Sequence, residues 1–257
     1  MALIEINLYS QVLNLEVPVN VILPQDAAPP YKTVWLYHGG TGDHTLWERY
    51  TDMERFVRER GIAVVTPTAH KSLFTDMLHG QEYGKFMGEE LIDRLWEIFP
   101  CLSTAREDNY VAGLSNGAYG CLRIGLRYPE KFAAIGAFSG GDFADQYWTD
   151  DGTYRGRRHV MVFGEGNPGE SEHGVKFLAR RVVEQGGPYP RIFHVAGELE
   201  PGGQGNGMTD FFRNLPFEYR FRVYPGVGHE WELWEEAFHD FVDEFLGIRP
   251  IVTKYYV

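Results

Sequence analysis

Short, mostly apolar stretches recur along the chain at 33–37, 62–65, 109–112 and 133–138, and 191–196 and 219–224 read as two more strands. Such runs suit strands buried on both faces, as in a parallel sheet. Between them the apolar positions fall on a helical period. Residues 46–60 read as a helix stopped by Gly61, and 119–127 as one halted by Pro129. Residues 89–99 put Leu91, Ile92, Leu95, Trp96 and Phe99 on one face before Pro100. A further helix is expected over 175–183, and 231–246 carries Trp231, Trp234, Phe238, Phe241 and Phe245 at spacings of three and four. The first residues alternate like an edge strand, and 17–23 is a β-branched run that ends in a turn at Pro24. Strands alternating with helices predict an α/β fold, a mostly parallel central sheet with helices on both faces. No repeat or linker divides the chain, so residues 1–257 read as a single domain. Residues 142–188 break the rhythm. They are polar and glycine-rich with one β-like patch at 160–163, and read as a small cap or lid inserted in the domain.

Composition narrows the classes. Apolar residues make up 44% and charged residues 23%, a globular balance that excludes disorder, collagen and coiled coil. The formal charge of −12 repels phosphate backbones and anionic lipid, so neither nucleic acid nor a membrane is an expected partner. It also disfavours a negatively charged substrate, unless local charge overrules the net. The opening residues have no basic n-region and no unbroken apolar core, so they do not read as a signal peptide. No apolar run nears the roughly 20 residues that cross a bilayer. Cys101 and Cys121 lack zinc-ligand spacing and read as buried small hydrophobes in a reducing compartment, which makes the cytoplasm the expected location. Assembly into a homo-oligomer stays open.

The chemistry centres on Gly113-Leu114-Ser115-Asn116-Gly117, a G-x-S-x-G pattern between an expected strand and an expected helix. A serine on such a sharp turn is exposed, and glycines two positions away on either side let strand and helix close on one another. A hydroxyl needs a base to take its proton. Among nine histidines, His229 stands in a loop between the last strand and the last helix, where chain order puts the base. His229-Glu230 is not a zinc motif, because Leu233 stands where a second histidine would be needed. A carboxylate must orient the imidazole, and Gly197-Glu198-Leu199-Glu200 offers two, Glu198 and Glu200. Tyr37-His38-Gly39-Gly40 follows an early buried strand, so the backbone N–H groups of Gly40 and Asn116 are the expected oxyanion hole. Gly164 to Gly169 formally matches a dinucleotide fingerprint, but Pro168 and the nearby glutamates make a poor pyrophosphate cradle. Asp150-Asp151-Gly152 lacks the remaining ligands of a calcium loop. Both read as turns. No cofactor or metal is expected.

These motifs, with Asn20-Val21-Ile22-Leu23-Pro24, Phe74-Thr75-Asp76-Met77, Leu102-Ser103-Thr104-Ala105-Arg106-Glu107-Asp108, Pro129-Glu130-Lys131-Phe132, Ser139-Gly140 and His229-Glu230-Trp231, run in order over nearly the whole chain. So ordered, the sequence resembles the esterase D and S-formylglutathione hydrolase-like esterases, which include bacterial tributyrin esterases. The resemblance implies an α/β-hydrolase fold, Ser115 as nucleophile, His229 as base, and Gly40 and Asn116 at the oxyanion. It selects Glu200 as the acid, where the family usually has aspartate. Three further positions depart from the family: Asn116 replaces a methionine, Gly84 a tryptophan, and 201–207 is glycine-rich where aromatics are usual. Loss of that bulk is expected to widen the acyl site. The implied activity is a serine carboxylesterase that hydrolyses short-chain acyl esters through an acyl-enzyme, its partner a small-molecule ester. Alternatives are an acetyl or feruloyl carbohydrate esterase, an S-formylglutathione hydrolase, an acyltransferase, or a non-catalytic binding protein on the same fold.

Overall fold

The computed structural model describes residues 1–200 and 207–251. The glycine-rich stretch 201–206 lies outside the described residues. The strands β1 (Ala2–Ser10), β2 (Leu15–Leu23), β3 (Thr33–Tyr37), β4 (Ala63–Pro67), β5 (Asn109–Leu114), β6 (Ala134–Phe138), β7 (Arg191–Gly197) and β8 (Tyr219–Tyr224) form one sheet. Their order is β1-β2-β4-β3-β5-β6-β7-β8. Neighbours pair in parallel from β4 through to β8, while β2 runs antiparallel to both β1 and β4.

Alternation along the buried strands sorts their side chains onto two faces. Trp35, Tyr37, Val65, Val111 and Ile135 feed one core, together with α4 (Leu91–Ile98), α5 (Asn116–Arg127) and α7 (Val175–Glu184). Val34, Leu36, Val64, Ala112 and Phe138 feed the other, against α1 (Leu46–Tyr50), α2 (Met53–Arg60) and α9 (Trp231–Asp240). Covering helices on both faces explain why these strands are apolar throughout.

Several boundaries differ from the expectation. The stretch 46–60 breaks into α1 and α2, because Thr51 is extended and its hydroxyl bonds back to Trp47 O at 2.7 Å. Asp52 N–H then donates to Glu235 of α9 at 2.8 Å, a partner invisible in a local pattern. The helix before Pro100 begins earlier, at α3 (Tyr83–Lys85), and reaches α4 through a π-helical turn over Phe86–Glu90. Another such turn, Phe241–Phe245, ends α9. The patch 160–163 is no strand. It closes α6 (Tyr154–Phe163), whose Thr153 hydroxyl caps Gly156 N–H at 3.0 Å and whose His159, Val162 and Phe163 are buried at helical spacing. Cys121 is buried as expected, but Cys101 is only partly so. The remaining described α-helix, α8 (Met208–Phe212), precedes β8.

Candidate active site

A single residue, Ser115, separates β5 from α5, and it sits at φ 54°, ψ −113°. That conformation costs a non-glycine residue on the order of 1–3 kcal/mol, so the surroundings must impose it. They do so through close approach. A Cβ on Gly117 would lie 2.7 Å from the carbonyl oxygens of Tyr37 and His38, and one on Gly113 would lie 2.7 Å from the Gly117 backbone. The two motif glycines therefore let β3, β5 and α5 converge, and the turn lifts the hydroxyl off the end of the sheet.

His229 reaches that hydroxyl from the loop between β8 and α9, with Nε2 3.0 Å from Ser115 Oγ. Its Nδ1 lies 2.8 Å from Glu200 Oε1. Glu198 points elsewhere: its carboxylate accepts Gly226 N–H at 2.8 Å and pins the turn that leads to His229. Leu199 between them is 66% exposed, and its N–H donates to Val227 O. Burial raises the Glu200 carboxyl, but hydrogen bonds from His229 and Ser139 outweigh it and hold the group below its usual range.

Four side chains to which the sequence assigned no role steady this arrangement. Ser139, in the left-handed region at φ 59°, accepts the indole N–H of Trp234 at 2.9 Å, and its hydroxyl is among the groups that lower the Glu200 carboxyl. Trp234 also stands edge-on to the His229 ring, 4.9 Å between centroids. His38 is buried and lowered to about 4 by desolvation, so it is neutral. Its Nε2 accepts Ala69 N–H at 3.0 Å, which leaves Nδ1–H to donate to Gly39 O at 2.6 Å. That bond fixes the loop that presents Gly40, which abuts Asn116: a Cβ on Gly40 would lie 2.4 Å from Asn116 Nδ2. His194, likewise lowered to about 4 by burial, bonds Gly140 O at 2.6 Å beneath Ser139.

The model of the Esterase family, described as "Putative esterase", matches residues 10–245. The chain belongs to this family. It is a carboxylic ester hydrolase of the serine esterase kind, built on the α/β-hydrolase fold. An acetyl esterase of Caldicellulosiruptor saccharolyticus is 28% identical over 254 residues, covering 92% of this chain and 95% of that protein. The substrate-bound fluorophosphonate-binding serine hydrolase F of Staphylococcus aureus superposes with a TM-score of 0.85 at 26% identity, covering 95% of this esterase and 98% of that chain. An S-formylglutathione hydrolase of the same organism gives a TM-score of 0.81 at 26% identity, with coverage of 95% and 98%.

Two cavities of this esterase meet at Ser115 and His229. One, of about 400 Å³, runs under Asp142, Phe143, Asp145, Gln146 and Arg155. The other, of about 360 Å³, runs between Tyr50 of α1 and Tyr154 and Arg158 of α6, beside Trp231 and Gly40. Gly84, expected at the acyl site, lines neither. A Cβ there would meet Arg123 Nη1 at 2.5 Å, so the missing tryptophan makes room for a buried arginine rather than for substrate. Asp52, Glu235 and His239 are spaced like metal ligands, their atoms within 4.8 Å of one another. Each already has a protein partner, Asp52 taking both Arg55 and His239 while Glu235 accepts Asp52 N–H. The glycine-rich 164–169 is a turn around Pro168–Glu170, and Asp150 and Asp151 accept the N–H groups of Gly152 and Thr153 as local turns. Among the described residues no helix is long and apolar enough to cross a membrane.

Proposed function

We propose that Ser115, His229 and Glu200 are the catalytic triad of a carboxylesterase acting on short-chain acyl esters. The observation that carries this is the unbroken relay from Ser115 Oγ to His229 Nε2 at 3.0 Å and from His229 Nδ1 to Glu200 at 2.8 Å. With Glu200 ionised, His229 keeps its proton on Nδ1 and leaves the Nε2 lone pair for the serine hydroxyl. As Ser115 Oγ bonds to the ester carbon, its proton passes to Nε2 and the carbonyl becomes an oxyanion facing the N–H groups of Gly40 and Asn116. Asn116 N–H belongs to the first turn of α5, where backbone donors have no partner within the helix. Collapse breaks the bond to the alcohol, which leaves with the proton from His229. Water then repeats both steps on the acyl-enzyme and frees the acid.

Segment 142–188 acts as a partial cap in this reading, supported by Asp142, Phe143, Gln146 and Arg155 at one cavity and Tyr154 and Arg158 at the other. Both cysteines are free, which suits a cytoplasmic enzyme. The polar wall under 142–155, and the likeness to an acetyl esterase, favour acetyl esters of polar alcohols such as carbohydrates as a second substrate reading.

The test is labelling with a fluorophosphonate read by mass spectrometry, followed by turnover of nitrophenyl esters from acetate to octanoate. Ser115 is expected to carry the label. Ser115→Ala or His229→Ala should lower turnover by about a millionfold, as in serine hydrolases whose triad acts as a unit. A folded variant of either kind that kept a tenth of the activity would rule out this triad.

A further inference from the structure

Arg158 lines the second cavity at Ser115, and among the described residues no carboxylate pairs with it. The side chain is mostly buried, and its Nε is shut off from solvent without a hydrogen-bond partner. Burial weakens its hold on the proton, Tyr154 offsets this and Arg155 adds to it, but no carboxylate is among the groups that act on it. A guanidinium stays charged even so, and an uncompensated charge at a desolvated site is costly. The protein does not lack acids, having 36 against 24 basic residues. Elsewhere it uses them: Arg60, Arg127 and Arg191 each pair with a carboxylate within 2.8 Å.

The same cavity holds a second cation, Lys71, whose ammonium donates to Gly40 O, and no aspartate or glutamate lines it. The other cavity is different. There Arg155 faces Asp142 and Asp145, which accept Lys176 N–H at 3.0 Å and Lys176 Nζ at 2.6 Å. Positive charge is thus concentrated on one side of the serine, in a protein whose net charge is −12.

We propose that the cavity between α1 and α6 binds a carboxylate carried by the ester substrate, gripped by Arg158 with Lys71 beside it. This rests on the triad reading above and names the substrate class: esters with one anionic limb, either half-esters of dicarboxylic acids or acylated hydroxy acids. The planar fork of Arg158 suits a carboxylate, and tyrosine and tryptophan walls suit the short carbon chain leading to it. Local charge overrules the net charge that argued against an anionic substrate.

The experiment measures kcat/KM on two matched pairs: monoethyl glutarate against ethyl pentanoate, and 4-acetoxybutanoate against butyl acetate. The first pair puts the carboxylate on the acyl limb, the second on the alcohol limb. One anionic member should exceed its neutral match by about tenfold, the scale of a charge-assisted hydrogen bond. That preference should fall towards parity in Arg158→Gln, persist in part in Arg158→Lys, and shrink in the wild-type enzyme as salt is raised. Should Arg158→Gln not fold, the wild-type pairs and salt series decide alone. Neutral esters preferred in both pairs, or a preference that survives both the substitution and salt, would overturn the proposal. Hydrolysis of none of the four overturns it as well, and absence of fluorophosphonate labelling would then show that the triad reading had failed first.

Discussion

Glu198 and Glu200 stand two positions apart after the same strand, yet one braces a turn and the other supports an imidazole. The difference is set by what approaches them, Gly226 N–H for the first and His229 Nδ1 for the second. Glu200→Gln should therefore cost about ten-thousandfold in turnover, the scale of losing a triad carboxylate, while Glu198→Gln changes it only modestly. Steady-state kinetics on nitrophenyl acetate check this, and the reverse order would move the role to Glu198. Ser139 is a positioning residue one step farther out, since its hydroxyl holds the Trp234 indole and helps to lower the Glu200 carboxyl. Ser139→Gly removes that hydroxyl at φ 59°, a conformation glycine adopts freely. We expect kcat to fall roughly tenfold and KM to shift much less, because support for a charged group is lost while the first cavity loses only one hydroxymethyl group from its wall. Matching changes in KM and kcat, or none, would mean that Ser139 only fills space.

At the scale of elements, the segment 142–188 is two structures. Its C-terminal part, α7, packs on α5 through Val175, Leu178, Ala179 and Val182 and belongs to the core. Its earlier part is an excursion closed at the base by Trp148 and Gly166, whose N–H and C=O groups exchange bonds at 2.7 and 2.9 Å. Within it α6 carries the residues that face both cavities. Replacing 149–165 with a short linker that preserves this base should alter the ranking of acyl esters from acetate to octanoate more than it alters turnover of acetate itself. An unchanged ranking in a folded deletion would show that the excursion is no part of the substrate site. A deletion that also removed α7 would uncover the face of the helix that follows the serine.

Over the whole molecule, His38, His159, His173 and His194 are each lowered to about 4, chiefly by burial. An unfolded chain binds their protons near pH 6.5, so between that pH and about 4 the unfolded state takes up protons the folded state refuses. The stability these neutral imidazoles contribute is complete above pH 6.5 and is lost as the pH falls towards 4. For the fully enclosed His38 and His194 the change is on the order of 3 kcal/mol each. The urea midpoint should drop markedly between pH 7 and pH 5, before most carboxylates titrate. A midpoint constant over that range would show that these rings accept protons without disturbing the fold. Because His38 fixes the Gly39–Gly40 loop, the same acidification should lower esterase activity ahead of global unfolding.

The chain's own pattern determined the strand sequence of the sheet, since a strand buried on both faces can be built only from a continuous apolar run. It also determined the elbow, because glycines at 113 and 117 around a serine meet a packing demand that acts within five residues. Where a residue's state depends on a partner far along the chain, the local pattern misled or fell silent. Valines 160 and 162 favour strands, but a threonine cap and packing against the fold made them a helix end. The break at Thr51 needed Glu235, and the missing bulk at Gly84 answered to Arg123. Only the tertiary structure brought Ser115, His229 and Glu200 to hydrogen-bonding distance. It alone left Arg158 in the cavity beside them with no counter-ion among the described residues, because charge pairing is settled by proximity in space, which composition and net charge do not encode.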